Sequence, residues 1–374
     1  MVSVVISSFN YERFLAEAID SALAQTWPGV EVIVVDDGST DGSRAIIERY
    51  GARVRAILKP NGGQGSALNA GFAHCRGSVV LFLDSDDVLL PHAVEQVVAA
   101  MADPAVAKVH WPVAEIDETG KASGRIVPHM PLGRGDLRDH VIAEGPYGYR
   151  RPPTSGNAWS RALLERILPI PEPSFRTCPD LYLAALAPLY GRVECVDTPL
   201  SLWRTHLVNH SWRDDLAQRV HEGIERDECT MQALVGHAQR LGLAADRAAW
   251  KANAWWSQIG AAIADIASVV PEGGSFILAE EDDWASGPHV AGRLRVPFLE
   301  RDGVYVGPPR DDGEAVAELQ RQHARGERFF VVAYPHLWYL DYFPGLRAWL
   351  SGSARERLRN DRVAIFELSA AAGS

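Results

Sequence analysis

The sequence is short of cysteine, of long apolar runs and of positive charge. Its four cysteines have neither CxxC nor Cys/His spacing, so neither a zinc site nor a disulfide framework is indicated. No run of 18 apolar residues is free of charge, which argues against a membrane-spanning helix. With 37 Lys and Arg against 48 Asp and Glu, the net charge is −11, so general nucleic-acid binding is not expected. We expect a cytoplasmic protein, soluble or peripheral at the inner face of the membrane.

The first ~110 residues alternate apolar strands with amphipathic helices. Segments such as VSVVISS, EVIVVDD and SVVLFLD have the composition of buried strands, and ERFLAEAIDSALAQ and SRAIIERYG have helical spacing. This alternation predicts an α/β fold with a mostly parallel sheet and helices on both faces. Ligands bind beyond the carboxyl ends of the strands in such sheets. The polar clusters that follow the strands are therefore expected to form one site.

Three carboxylates, those of Asp84, Asp86 and Asp87, follow the fourth predicted strand within four positions. Like charges this close repel one another, so the cluster predicts a cationic partner. Carboxylate oxygens suit Mg²⁺ or Mn²⁺, with diphosphate oxygens and water as further ligands. Two alternatives stay open. One is a solvated turn in which Asp87 caps the next helix, and the other is a phosphatase with Asp84 as nucleophile.

Three segments in order, ISSFNYERFLAEAIDSALAQTWPGVEVIVVDDGSTDGS, NGGQGSALNAGF and LFLDSDDVLLP, resemble the motifs of family 2 glycosyltransferases with the GT-A fold. The resemblance covers residues 1 to about 215 and implies a metal-dependent, inverting transferase of bacterial polysaccharide or natural-product biosynthesis. Asp84-Ser85-Asp86 would be its DxD metal motif, and Asp36 or Asp37 would contact the base or ribose of a nucleotide-sugar. The residues implied in donor binding are Ser7, Ser8, Asn10, Asp36, Asp37, Ser39, Asn61, Gln64, Asn69, Asp84, Ser85 and Arg204.

The resemblance implies a nucleotide-diphosphate sugar as donor, with a UDP-sugar as the first expectation. Family members commonly carry Arg before the Asn of the third motif, and here Leu68 precedes Asn69. That departure leaves the identity of the donor's nucleobase undecided. The acceptor would be a carbohydrate or a small molecule, and its identity is not encoded in a recognisable motif.

The family's base corresponds to Asp180 of CPDLYLAALAP, where Pro179 replaces the usual Glu. A helix-capping carboxylate is the alternative for Asp180. His206 would be a third metal ligand beside Asp84 and Asp86, and imidazole nitrogen suits Mn²⁺. Arg204 would bind the diphosphate. His210 and Arg213 are weaker candidates for these two roles.

TSGNAW resembles the acceptor loop of the family and places Ser155, Gly156, Asn157 and Trp159 near the acceptor. Trp159 would stack on a sugar or would lie in the core, and the sequence leaves both open. A third reading of the chain, a non-catalytic nucleotide-sugar binding module, is motivated by Pro179 and by the Leu68 departure.

We predict three parts: a GT-A domain over 1–215, a helical connector over 216–270, and a small α/β accessory domain over 271–374. The last part resembles a module appended to some bacterial sugar transferases. The connector tryptophans, Trp250, Trp255 and Trp256, are expected to pack the parts together or to form a homodimer contact.

Overall fold

The computed structural model describes residues 1–206, 216–279, 284 and 289–369. The chain divides into two compact units, one of Met1–Ser211 with Glu228–Trp250 and one of Trp212–Asp227 with Lys251–Ser374. This division differs from the three predicted parts, because the predicted connector is shared between the two units. Among the described residues, no helix is long and apolar enough to cross a membrane.

The first unit contains two sheets and the helices that pack on them. Its strands are β1 (Val2–Ser8), β2 (Val30–Asp36), β3 (Arg55–Leu58), β4 (Val79–Asp84), β5 (Val88–Leu89), β6 (Val106–His110), β7 (Val113–Ile116), β8 (Ala122–Val127), β9 (Asn157–Ser160), β10 (Arg192–Cys195) and β11 (Ser201–Arg204). Its helices are α1 (Leu15–Leu23), α2 (Ser43–Tyr50), α3 (Gln64–Phe72), α4 (Ala93–Ala100), α5 (Arg138–Glu144), α6 (Arg161–Ile167) and α7 (Asp180–Leu186). Helices α8 (Leu216–Arg240) and α9 (Arg247–Asn253) have residues in both units.

The larger sheet has seven strands in the order β10-β6-β9-β4-β1-β2-β3. Strand β1 pairs in parallel with β2 and β4, and β9 runs antiparallel to β4 and β6. This confirms the predicted α/β fold with a mostly parallel sheet. The smaller sheet, β5-β11-β7-β8, includes the antiparallel pair β7 and β8.

Strand β1 lies inside the larger sheet, between β4 and β2, and helices pack on both of its faces. On one face Val4 and Ile6 pack with Leu15 of α1 in the main core cluster of the unit. On the other face α3 approaches closely, since a Cβ atom on Gly71 would collide with the side chain of Val5. The central strands are thereby fixed between helices, and their carboxyl ends are held in register.

The second unit contains a six-stranded sheet in the order β13-β14-β12-β17-β19-β18, together with a short antiparallel pair. Its strands are β12 (Ser275–Ala279), β13 (His289–Val290), β14 (Arg293–Phe298), β15 (Glu300–Arg301), β16 (Val304–Tyr305), β17 (Phe329–Ala333), β18 (Ala354–Arg359) and β19 (Val363–Leu368). Its helices are α10 (Trp255–Val269), α11 (Asp312–Ala324), α12 (Tyr339–Tyr342) and α13 (Pro344–Ser353).

The connector tryptophans each have packing partners within their own unit. In the first unit, Trp250 is buried and its indole Nε1 donates a hydrogen bond to Ile142 O at 3.1 Å. In the second unit, the Trp255 ring meets the Tyr334 ring edge-on at 5.4 Å. The homodimer contact expected of these rings remains a prediction.

Candidate active site

The carboxyl ends of β1, β2 and β4 bring predicted site residues to one edge of the sheet. In the strand register, Ser7 lies opposite Asp84, and Ser8 lies opposite Asp36. Ser8 is buried and its Oγ atom has no hydrogen-bond partner within the described part of the chain, whereas Ser7 is partly exposed. These side chains therefore lie at the edge where open α/β sheets bind ligands.

The DDGSTDG turn after β2 is held by its own polar side chains. Asp36 Oδ2 accepts hydrogen bonds from Ser39 N at 3.2 Å and from Arg44 Nε at 2.8 Å. Ser39 Oγ accepts from Asn10 N at 3.0 Å, and Asn10 Oδ1 accepts from Thr40 N at 2.8 Å. Asp36, Ser39 and Asn10, all predicted to bind the donor, thus tie the end of β1 to this turn.

Asp37 is buried and accepts hydrogen bonds from the loop that precedes α3. Its Oδ1 accepts from Lys59 Nζ at 2.5 Å and from Gly62 N at 3.0 Å. Its Oδ2 accepts from Gly63 N at 2.7 Å and from Asn61 Nδ2 at 3.1 Å. A carboxylate has about four acceptor positions, so little capacity is left for a ligand. The structure therefore makes Asp37 an anchor of this loop, in contrast to the predicted contact with base or ribose.

The glycine loop before α3 packs against the backbone of residues 175 and 176. Gln64 N donates to Arg176 O at 2.8 Å, and Gly65 N donates to Phe175 O at 2.9 Å. A Cβ atom on Gly63 would lie 2.6 Å from Arg176 Cα, and one on Gly65 would lie 2.5 Å from Phe175 O. Glycine is thus required for close backbone approach, and these two amides bind the protein chain instead of a phosphate.

Asn69 and Leu68 both face the protein. The amide of Asn69 accepts from Ile170 N at 2.8 Å and donates to Ile170 O at 2.9 Å. This bidentate contact fixes the segment after α6 and differs from the predicted donor contact of Asn69. Leu68 is fully buried, so its side chain is not available to a nucleotide base.

The acidic cluster lies just beyond the end of β4 and includes two carboxyls with raised pKa values. Burial raises the pKa of Asp84 to about 8, and the nearby charges of Asp86 and Asp180 add to the rise. Burial likewise raises the pKa of Asp87 well above its usual range, with further rises from Asp86 and Asp84. Ser85, between them, is buried. The protein's own charges thus leave this turn with an excess of negative charge.

The residues of this turn fit a divalent cation. Asp87 Oδ2 is buried and has no hydrogen-bond partner among the residues that the structure describes. His206, predicted as the third metal ligand, places its Nε2 atom 3.1 Å from Asp86 Oδ2. Within the described part of the chain, however, no three His, Cys, Asp or Glu side chains form a complete metal site. The protein would therefore supply only part of the coordination, as expected where a diphosphate supplies the rest.

Arg204 stabilises the turn at Asp86 and Asp87 through hydrogen bonds from inside the protein. Its Nε atom donates to Asp86 O at 2.8 Å, its Nη2 atom donates to Glu17 Oε2 at 2.6 Å, and its backbone N donates to Asp87 Oδ1 at 2.8 Å. The side chain is only 2% exposed. This geometry differs from the predicted diphosphate contact, because a buried guanidinium bound to backbone and carboxylate is not presented to a ligand. His210 and Arg213 lie outside the described residues.

The predicted acceptor loop lies beside β4. Ser155 Oγ accepts a hydrogen bond from Asp84 N at 3.1 Å. Gly156 has no room for a side chain, since a Cβ atom there would lie 2.8 Å from Trp111 O. Asn157 is buried, and none of the described residues forms a hydrogen bond with its Oδ1 atom. Trp159 is only 1% exposed, which fits the core alternative and not a sugar-stacking surface.

Asp180 is the first residue of α7, and Pro179 occupies the N-cap position without a side-chain capping bond. Its charge raises the pKa of Asp84, so the two carboxyls are electrostatically close. Gln64 links the same two regions, because its Nε2 atom donates to Asp84 Oδ1 at 2.6 Å and its Oε1 atom accepts from Cys178 N at 3.2 Å. The structure therefore brings the predicted base and the acidic cluster together.

A buried lysine on the adjoining strand was missed in the sequence. Lys108 Nζ lies 3.3 Å from the Tyr149 hydroxyl, which in turn donates to Ala184 O of α7 at 2.7 Å. Lys108 lies opposite Trp159 in the strand register, and His110 lies opposite Asn157. The signal was present in VAKVH, where polar residues two apart interrupt an apolar strand, because such residues share one sheet face.

The chain is similar to known glycosyltransferases. The family model described as glycosyl transferase family 2 matches residues 3–151. An uncharacterized glycosyltransferase of Nostoc sp. is 36% identical over 213 residues, which cover 56% of this chain and 66% of that protein. One from Rickettsia prowazekii is 44% identical over 95 residues, which cover 25% of this chain and 30% of that protein. The chain thus spans between 30% and 66% of the length of these two relatives.

Two solved structures are also similar. Residues 1–349 of S. aureus TarS, in complex with UDP-GlcNAc, align over 64% of this chain and 72% of that chain, with 21% identity and a TM-score of 0.48. The mannosyltransferase PcManGT from Pyrobaculum calidifontis, in complex with GDP-Man and Mn²⁺, aligns over 72% of this chain and 76% of that chain, with 21% identity and a TM-score of 0.45. The family model and these relatives agree that residues 3–151 are a glycosyl transferase family 2 domain.

Proposed function

We propose that this protein transfers a sugar from a nucleoside diphosphate sugar to an acceptor hydroxyl by a metal-assisted, inverting displacement. The observation that carries the proposal is that Gln64 bonds both to Asp84 of the acidic cluster and to Cys178, two residues before Asp180. Family 2 membership supports the same reaction class. The chemistry needs a cation site and a base on opposite sides of one sugar, and these two groups provide candidates for both.

Asp86 and His206, whose Oδ2 and Nε2 atoms lie 3.1 Å apart, are the residues that would hold the cation. Asp84, the other predicted ligand, does not form a three-residue metal group with them among the described residues. When bound, a divalent metal would stabilise the negative charge that develops on the departing diphosphate. Burial, and after it the repulsion among Asp84, Asp86 and Asp87, raises the pKa values of Asp84 and Asp87, and a bound cation would offset that repulsion. Arg204 holds the backbone of the same turn and so positions Asp86.

Asp180 would act as the base. Its carboxylate takes the proton from the acceptor hydroxyl while that oxygen bonds to the anomeric carbon of the donor sugar. The bond from the anomeric carbon to the diphosphate breaks, and the nucleoside diphosphate leaves with the electron pair. One displacement inverts the anomeric configuration. The acceptor loop next to Asp84, with Ser155 and Asn157, is the surface proposed to orient the acceptor.

The phosphatase alternative has less support from the geometry. One oxygen of Asp84 already accepts a hydrogen bond from Gln64 Nε2 at 2.6 Å, so it is not free to attack phosphorus. The family model matched by residues 3–151 is that of a glycosyl transferase.

The proposal is tested by release of nucleoside diphosphate from a panel of nucleotide-sugars, with Mn²⁺ and a panel of sugar acceptors. We expect Asp180→Asn to lower the transfer rate by about 10²–10⁴-fold, the usual range for loss of a general base, with nucleotide binding retained. Asp139→Asn, an exposed carboxylate of α5, is the matched control and should leave the rate unchanged. Full activity of Asp180→Asn would overturn its role as base, and release of inorganic phosphate without an acceptor would favour the phosphatase.

A further inference from the structure

Gln64 connects the two halves of the proposed site through the two ends of one amide group. Its Nε2 atom donates to Asp84 Oδ1 at 2.6 Å, and its Oε1 atom accepts from Cys178 N at 3.2 Å. A backbone N–H only donates hydrogen bonds, so the amide oxygen of Gln64 must face Cys178 N, and its Nε2 atom then faces Asp84 Oδ1. The two partners therefore fix the orientation of the amide, and no other orientation satisfies both.

The segment that receives this contact leads directly into the predicted base. Cys178 has a φ angle of 55°, in the left-handed region that residues other than glycine seldom adopt. Asp180 follows two residues later and begins α7. Because a left-handed residue sets the direction in which the chain enters a helix, the support given to Cys178 also sets the position of Asp180.

The loop that carries Gln64 is itself tightly fixed. Gln64 N donates to Arg176 O, and the preceding Gly63 N donates to the buried carboxylate of Asp37. Gly63 leaves no space for a side chain against Arg176. The amide of Gln64 thus projects from a rigid support and does not adapt to movement of its partners.

On the basis of the proposed function, we propose that Gln64 is a positioning residue that holds the base Asp180 in register with the acidic motif at Asp84. This differs from the donor contact that the sequence predicts for Gln64. A donor contact would act on nucleotide affinity, whereas a positioning role acts on the turnover of bound substrates.

Three substitutions separate the two hydrogen bonds. Gln64→Glu keeps an acceptor for Cys178 N but has no donor for Asp84. Gln64→Lys keeps a donor for Asp84 but has no acceptor for Cys178 N. Gln64→Met removes both at similar volume, and Gln320→Met, on the exposed side of α11, is the control for the same change at a distant site.

Hydrogen exchange of the full-length protein, without nucleotide, measures the support given to residues 176–182. We expect the amide of Cys178 to exchange about threefold to tenfold faster in Gln64→Met and in Gln64→Lys, a factor that corresponds to one net hydrogen bond. Gln64→Glu should stay close to wild type, and so should Gln320→Met. Equal protection in all variants would overturn the proposed contact with Cys178.

Steady-state kinetics and calorimetry measure how the substitutions of Gln64 affect turnover and nucleotide binding. For Gln64→Met we expect kcat to fall about 10- to 100-fold, because misplacing a catalytic group by about 1 Å has an effect of this size. The Kd for nucleoside diphosphate with Mn²⁺ should change by less than about threefold. A Kd raised tenfold with kcat unchanged would instead assign Gln64 to donor binding. A wild-type protein that binds no nucleotide would refute the proposed function itself, while the exchange result would still report on the Gln64 contact.

Discussion

Lys108 offers a quantitative prediction, because it is a lysine buried within the sheet of the first unit. Burial lowers the pKa of Lys108 well below its usual range, and the charge of Arg151 lowers it further, while Asp180 and Cys195 oppose the shift. The ring of Trp159, 5.1 Å from Nζ, also favours the charged form. A cation–π contact contributes only about 2 kcal/mol even when desolvated. Full burial shifts a lysine pKa by up to about 3–5 units, so burial dominates.

The sign of the pH dependence follows from the lowered pKa. Between the folded pKa and the unfolded value of about 10.4, Lys108 binds a proton in the unfolded chain but not in the folded protein. The free energy of unfolding therefore rises with pH in this window, at up to about 1.36 kcal/mol per pH unit. Methionine has no proton to bind and lacks this contribution.

We therefore expect Lys108→Met to be more stable than wild type at pH 7, with an advantage in the free energy of unfolding that shrinks as the pH rises to 9. Urea unfolding followed by tryptophan fluorescence measures both values. Lys121→Met, at an exposed position, should show no such change with pH. An advantage that is the same at pH 7 and pH 9 would refute the reasoning, because it would mean that Lys108 stays charged in the folded protein.

Two other predictions concern the loop before α3. Asp37→Ala should lower the free energy of unfolding by about 3–5 kcal/mol, because it leaves the charge of Lys59 without its partner. An unchanged urea midpoint together with weaker nucleotide binding would instead mean that Asp37 contacts the nucleotide-sugar. Gly63→Ala should be more destabilising in thermal melts than Gly242→Ala. Both glycines have positive φ angles, but only Gly63 meets the backbone of Arg176, so equal losses would contradict this account.

The sequence predicted the edge of the sheet and the acidic motif, because both are local patterns. Buried strands followed at once by Ser7 and Asp84 place those residues at carboxyl ends without knowledge of the tertiary structure. The partners of the same side chains were not predictable in this way. Asp37 receives its donors from residues 59–63, and Gln64 meets Cys178, which is 114 positions away. Such contacts depend on how loops pack.

Two predicted site residues are buried in the structure, which the sequence did not reveal. Arg204 and Trp159 have the residue types that bind phosphates and sugars, yet both side chains are almost fully buried. Residue type indicates which ligand a side chain could bind, whereas burial decides whether a ligand can reach it. Lys108 is a residue type that is usually exposed, yet here it is buried in an apolar strand. Its residue type alone does not reveal this unusual environment.

The central claim is that the acidic turn after β4 binds a nucleoside diphosphate together with a divalent cation. The most direct test is calorimetric titration of UDP, GDP, ADP, CDP and dTDP into the protein, with and without Mn²⁺, for wild type and Asp86→Asn. We predict binding of at least one nucleotide that depends on Mn²⁺ and that is lost in Asp86→Asn. Binding that is equally strong without Mn²⁺ and in Asp86→Asn, or no binding of any nucleotide, would contradict the account.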